Sequence, residues 1–502
     1  MKNQNMIPIC SPIAGFQHVP ALGSIAFFAL MNSSLASDAD QARSAYPSYF
    51  TRPGSAGTDY NTWLGAKSAD IGETKVDPKR LPSRVDNSKR AEYPPIYEQK
   101  WGTCGQHAAI ASVFTYEMNV LGGTKADTDA TRFPAYFSWN MVNGAQDAGS
   151  EAYHGWEVAK RLGIPTSQAY GGKPPEKIGT WPNGYQIWRD AMEHRIAGYR
   201  YTPATTVEQL NEARGWMFDK NSAASAKDAV GGIFAMDGRM GDLTKVTKTI
   251  AKGEHAEGEE IWTRWCPEGF GHGLTCVGYD DQVGYDLDGD GKITNDIDRN
   301  KDGKVNLADW ERGCYIVANS WGPKWSGDGC IYLPYSAMVD ADWERGNYLG
   351  RAEVSRQIPR MTLRMKLACS DRSDLRVSIG MAKDSKAKAP TNEIKPEVLN
   401  GWPVFAGFSA GHVPIAGPED ATPLELGIDL TSLALECGKN PGSKMGIFLD
   451  LGLADGSKAT GKLYECAVRH YDAEGKFLRE SPLAQHEGTI GTTALKISDV
   501  LN

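Results

Sequence analysis

Apolar residues recur at three- and four-residue spacing through the run CGQHAAIASVFTYEMNVL, at Ala108, Ile110, Ala111, Val113, Phe114, Met118 and Leu121. That period gathers them on one face and predicts a helix that opens at Cys104. A second helical pattern covers 150–162, closed by Gly163, and a third covers 207–220. Short runs rich in β-branched and aromatic residues follow at 230–236, 274–279, 314–319 and 330–333, and these predict strands. Helices first and strands afterwards define an α+β unit. Beyond residue 358 the pattern changes to segments such as LRVSIGMA, PLELGIDL, MGIFLDLGL and LYECAVRHY, separated by Gly, Pro, Asp and Asn. Helical periodicity is nearly absent there, so 358–502 is expected to be a separate all-β sandwich.

A length of 502 residues predicts two or three domains. Hydrophobic residues make up 41% and charged residues 23%, enough apolar material for a sizeable core. Lys and Arg number 54 against 62 Asp and Glu, with part of the acidic excess in one run near residue 290, so neither a nucleic-acid nor an anionic-membrane partner is expected. Residues 21–30 (ALGSIAFFAL) precede the small-residue stretch SSLAS and read as the core of a signal peptide, 1–37, too short to span a bilayer. The expected location is secreted or periplasmic, with no stable membrane insertion once the signal is cleaved. Residues 38–80, rich in Gly, Ser, Asp and Pro, read as a propiece or linker. Removal of 1–37 takes Cys10 and leaves eight of the nine cysteines in an oxidising compartment. Cys369, Cys437 and Cys466 all fall in the tail, where they allow a single bridge.

A thiolate attacks a carbonyl when its pKa is depressed, and a helix N-terminus with a nearby imidazole does this. Cys104 has the first by position. His272, in GFGHGLTCVGYDD, sits among glycines at the mouth of an alternating strand, where Gly271 and Gly273 leave room for a substrate backbone. Asn319 ends the strand CYIVAN and offers an amide to orient the imidazole, with Trp321 able to screen that bond from water. Gln99 offers a side-chain donor to the oxyanion, beside the Cys104 N–H. His107, three residues past Cys104, is the rival base, although a residue on the helix body packs beneath the thiol rather than facing substrate. His154 and His255 read as exposed loop residues, Cys276 as core, and Trp325 either as a cleft wall with Trp321 or as a core aromatic.

Here the chain resembles papain-like cysteine peptidases. The blocks QKWGTCGQHAA (99–109), HGLTCVGY (272–279) and YIVANSWGPKWSGDGCIY (315–332) look like the three signature blocks of that family, in the same order. Gly149 and Ser150 stand where the family has a Gly-Gly pair that offers its backbone to substrate. The resemblance covers 81–357 and implies a two-lobed fold, a helical lobe and a β-barrel-like lobe, with Cys104, His272, Asn319 and Gln99 catalytic and Gly149, Ser150 and Trp321 in contact with substrate. Two departures stand out. Gly105 replaces the family's aromatic after the nucleophile, and Trp101 replaces its second Cys, so the disulfide beside the nucleophile cannot form.

Between His272 and Asn319 lies an insert at about 281–311 that contains DLDGDGKITNDIDRNKDGKVNLAD. Asp298, Asn300, Asp302, Lys304 through its carbonyl, and Asp309 occupy positions one, three, five, seven and twelve of an EF-hand or dockerin-like loop, with Gly303 at six. A repeat begins twelve residues earlier with Asp286, Asp288 and Asp290. Its twelfth residue is Ile297, so this loop is incomplete unless Asp298 serves both. Structural Ca²⁺ is therefore expected, and no organic cofactor.

These readings converge on a secreted endopeptidase that hydrolyses peptide bonds of a protein or peptide substrate through a thioester acyl-enzyme. Two rivals share the motifs: a catalytically silent papain-like scaffold used for calcium-dependent adhesion, and a transglutaminase-like Cys-His acyltransferase. For the tail, carbohydrate or surface binding is a fold-level expectation only.

Overall fold

The computed structural model describes residues 71, 74, 77–220, 229–340, 347–400, 410–418, 420–438 and 444–501. The signal peptide and most of the propiece expected from the sequence lie outside these residues. No described helix is long and apolar enough to cross a membrane.

The chain is mixed α and β. Its helical elements come first. Cys104–Gln106 is α-helical, His107–Phe114 continues it as a π-helix, and Thr115–Gly122 returns to α before Gly123 ends it in the left-handed conformation. Residues 107–111, 113 and 114 are all buried, more than the one face that the period predicted. This run is enclosed by Ala135–Val142, Ala152–Arg161 and strands of the large sheet. Wider π turns are over-represented at functional sites, and here the π segment follows directly on Cys104.

Among the described residues, nine strands form one sheet. Its order along the main path is His194–Pro203, Tyr348–Arg356, Phe234–Met240, Phe270–Gly284, Arg312–Ala318, Cys330–Pro334, Glu260–Trp262 and Thr247–Thr249, with Arg84–Asp86 paired to Phe270–Gly284. Phe270–Gly284, which carries His272, therefore lies between the strand bearing Asp237 and the strand that leads into Asn319. The strand predicted over 230–236 begins four residues later. A Cβ at Gly232 would collide with the Trp216 indole and one at Gly231 with the Met217 carbonyl, so these residues pack against the helix Val207–Phe218 before pairing begins.

The described residues between 361 and 501 form two antiparallel sheets of five and four strands. Alternation in Met361–Cys369 and Leu375–Ala382 sends Leu363, Met365, Leu367, Val377 and Ile379 inward, where they meet Leu449 and Leu451. This apolar cluster is continuous with the one beneath the helices. Polar ties cross the same boundary. The Tyr185 hydroxyl lies 2.6 Å from both Thr362 Oγ1 and the Tyr471 hydroxyl. Buried Arg372 donates to the carbonyls of Gly179 and Ala410 at 2.7 and 2.5 Å. The eight described cysteines are all free, so the single bridge that Cys369, Cys437 and Cys466 allow is not formed. Each of those three is buried among apolar neighbours, and burial pushes the Cys369 and Cys466 thiols up to about 11 and 12.

Candidate active site

Cys104 is the first residue of its helix, and Gly273, the residue after His272, packs directly against it. A Cβ on Gly273 would fall 2.9 Å from the Cys104 carbonyl carbon and 2.6 Å from Gly105 Cα, so only glycine lets the strand approach the helix start this closely. Backbone N–H groups of Gly273, Gly105 and Cys104 itself favour the thiolate, but burial outweighs them and holds the Cys104 thiol above its usual range. Burial also lowers the His272 imidazole to about 4, against the hydrogen bond to Asn319 that raises it.

His272 Nε2 lies 2.8 Å from Asn319 Oδ1. That oxygen also accepts the backbone N–H of Ser320 at 2.7 Å. Because an N–H can only donate, the atom facing both partners must be the amide oxygen, and Nε2 must carry the ring proton. The lone pair is then on Nδ1, which makes Nδ1 the basic atom. Trp321 covers this pair, its ring 5.0 Å from that of His272, and Trp325 meets Trp321 edge-on at 5.6 Å.

Gln99 is tied to the same corner. Its backbone N–H donates to the Ser320 carbonyl at 2.8 Å, its Oε1 accepts the Ser320 hydroxyl at 2.6 Å, and its Nε2 donates to the Trp101 carbonyl at 2.9 Å. One Nε2 hydrogen remains after the Trp101 bond. Trp101 adopts a left-handed φ of 64° and stacks on Trp139 at 5.6 Å, which sets the turn between Gln99 and Cys104.

Gly149 is exposed, and a Cβ there would meet nothing within 4 Å. Ser150 is pinned by Gln106, whose Nε2 donates to Ser150 Oγ and to the Glu151 carbonyl, both at 2.9 Å. The Ser150 carbonyl lies against Gly105 so closely that no Cβ fits. This is the physical reason for glycine after the cysteine. The segment 148–151 therefore borders the helix start.

His107 is buried beneath the helix start, its Nδ1 3.1 Å from the Thr103 carbonyl and its ring edge-on to Tyr136. Burial lowers it to about 4. His154 is not an exposed loop residue. It occupies the first turn of Ala152–Arg161, where its Nδ1 accepts the Glu151 N–H at 3.0 Å, and burial drives it down to about 3. His255 is exposed, with Nε2 3.0 Å from buried Asp280. Cys276 packs in the core, its Sγ 3.6 Å from Met217 Sδ.

The insert folds as two loops related by a twelve-residue repeat. In the second, Asp298 accepts the N–H groups of Asp302 and Gly303, Asn300 accepts that of Asp302, and Asp302 accepts that of Lys304. Buried Asp309 accepts the N–H groups of Arg299, Asn300 and Asn306 at 3.0, 3.1 and 2.9 Å. In the first, Asp286 accepts those of Gly289 and Gly291, Asp288 that of Asp290, and Asp290 that of Lys292. Glu311, 4% exposed and missed in the sequence, accepts the N–H groups of Leu287, Asp288 and Thr294, each twelve positions before the partners of Asp309. Glu311 thus supplies the closing carboxylate that Ile297 cannot, while Asp298 folds onto its own loop. Carboxylate oxygens of Asp286, Asp288 and Glu311 lie within 4.8 Å of one another, a spacing that suits a hard cation held by oxygen.

Among solved structures, the chain matches xylellain, a cysteine protease from Xylella fastidiosa, at 17% identity and a TM-score of 0.35, over 58% of this chain and 92% of that one. It matches the proform of Amb a 11, a ragweed pollen cysteine protease, at 15% and 0.33, over 57% and 66%. It matches procathepsin B S9 from Trypanosoma congolense at 14% and 0.36, over 57% and 83%. These matches are papain-like cysteine proteases. No family model and no curated protein matches the chain.

Proposed function

We propose that this chain is a secreted papain-like cysteine endopeptidase. The observation that carries the reading is the hydrogen bond between His272 Nε2 and Asn319 Oδ1, on a strand whose next residue, Gly273, abuts Cys104. In the proposed reaction the Cys104 sulfur attacks the peptide carbonyl carbon as its proton passes to His272 Nδ1. The carbonyl π electrons move to oxygen, where the Cys104 N–H and the remaining Nε2 hydrogen of Gln99 stabilise the charge, each donor by about 3 kcal/mol. Collapse of that adduct breaks the C–N bond, and His272 returns its proton to the leaving amine. Water, deprotonated by the same Nδ1, then attacks the thioester, and Cys104 leaves with the proton.

In this reading Gly149 and Ser150 offer backbone to the substrate, and Trp321 walls the cleft and keeps water from the His272–Asn319 bond. The helices and the nine-stranded sheet form the two lobes, with the cleft between them, and 358–502 is an accessory β-sandwich that shields the helical side. The two insert loops hold Ca²⁺, the second through Asp298, Asn300, Asp302, the Lys304 carbonyl and Asp309, the first through Asp286, Asp288, Asp290 and Glu311. The ion is structural: it clasps the connection between the base and its orienting amide. Incubation of the mature protein with denatured casein tests the activity. Wild type is expected to cleave it and Cys104→Ala to leave it intact, whereas equal cleavage by both would refute the assignment.

A further inference from the structure

Asp237 carries a carboxylate that the proposed chemistry does not use. It lies on Phe234–Met240 as the cross-strand partner of Gly273. Cross-strand partners leave a sheet on the same face. On that face a Cβ at Gly273 would touch Cys104 and Gly105, so the Asp237 side chain leaves the sheet beside the nucleophile. Its charge reaches the Cys104 thiol, the His272 imidazole and the Tyr153 phenol, the titratable groups that face it from the helix start, the neighbouring strand and the helix Ala152–Arg161.

Asp237 is half-buried, and among the described residues its carboxylate has no hydrogen-bond or ion-pair partner. Arg239, two residues along the same strand, donates to the Pro267 carbonyl at 3.0 Å. Burial raises the Asp237 carboxylate to about 7, against the neighbouring His272 imidazole, which lowers it. A half-buried carboxylate beside the nucleophile is free to meet a group that binds there. A cation is the complement, because a charge-assisted hydrogen bond in a sheltered site is stronger than a neutral one.

We propose that Asp237 is a specificity-determining residue that selects peptides with a lysine or arginine side chain near the scissile bond. This inference rests on the cysteine-peptidase reading above. Internally quenched peptides varied at each position on both sides of the scissile bond test it at pH 7.5. Wild type is expected to favour Lys or Arg over Gln and Met at one position by at least about tenfold in kcat/KM. Asp237→Asn should lose that ratio and Asp237→Glu retain it, with labelling of Cys104 by an epoxide probe reporting that each variant is folded. Cleavage by wild type without a basic preference at any position, or a preference that survives in Asp237→Asn, overturns the proposal and leaves the peptidase reading standing. Failure of wild type to cleave any peptide, together with an unlabelled Cys104, overturns both.

Discussion

Asn319 holds the imidazole of His272 through an oxygen that is shared with the Ser320 N–H, and this sharing decides which ring nitrogen is basic. An amide free to flip could present its NH₂ and select the opposite tautomer. The Ser320 bond prevents that flip, so orientation and protonation are set together.

Replacing Asn319 by alanine should therefore lower kcat by about 10²-fold with a smaller change in KM, since the base is still present but no longer oriented. Steady-state kinetics on one fluorogenic peptide measures the split. A KM effect with kcat unchanged would assign Asn319 to substrate binding instead.

Calcium should stabilise the fold. Free ion at a hundred times its dissociation constant adds about 2.7 kcal/mol, so chelation should lower the thermal midpoint and the activity, and Glu311→Gln and Asp309→Asn should each reduce the effect. A chelator that leaves both midpoint and activity unchanged would remove the ion from the account.

His154 supplies a pH test independent of the active site. Its folded pKa, about 3, lies below the usual 6.5 of the unfolded chain, so the unfolded state binds more protons between these values. Its contribution to stability is present above 6.5 and is lost as pH falls towards 3. Denaturant titrations should show wild type losing stability over this window more steeply than His154→Gln, by one proton. Parallel curves would contradict burial of a neutral imidazole.

Much of the site was legible because its chemistry sits at punctuated positions. Cys104 opens an apolar helical run, His272 and Gly273 share a glycine-rich strand entrance, and Asn319 ends a strand before Ser320 and Trp321. Two tail strands were equally clear, since LRVSIGMA and MGIFLDLGL coincide with Leu375–Ala382 and Met445–Leu453, while PLELGIDL and LYECAVRHY only overlap Leu424–Asp429 and Gly461–Tyr471. What stayed hidden depends on contacts between distant segments. Glu311 closes a loop that begins twenty-five residues earlier, outside the spacing of a single loop. Gly105 is explained by the Ser150 carbonyl, and the late start of Phe234–Met240 by Trp216. His154 read as exposed because its polar neighbours hid a helix start, and the unpaired tail cysteines because spacing carries no information on burial. Asp237 was invisible because its partner across the sheet lies thirty-six residues away.

The most direct test is the reactivity of one sulfur. Native protein with calcium, treated with an epoxysuccinyl probe and weighed intact, should take up one equivalent, mapped by peptide digestion to Cys104, with slower uptake in His272→Ala and none in Cys104→Ala. Uptake that is absent from the wild type, or that falls on other cysteines at a rate unaffected by His272, would contradict the assignment of Cys104 as nucleophile.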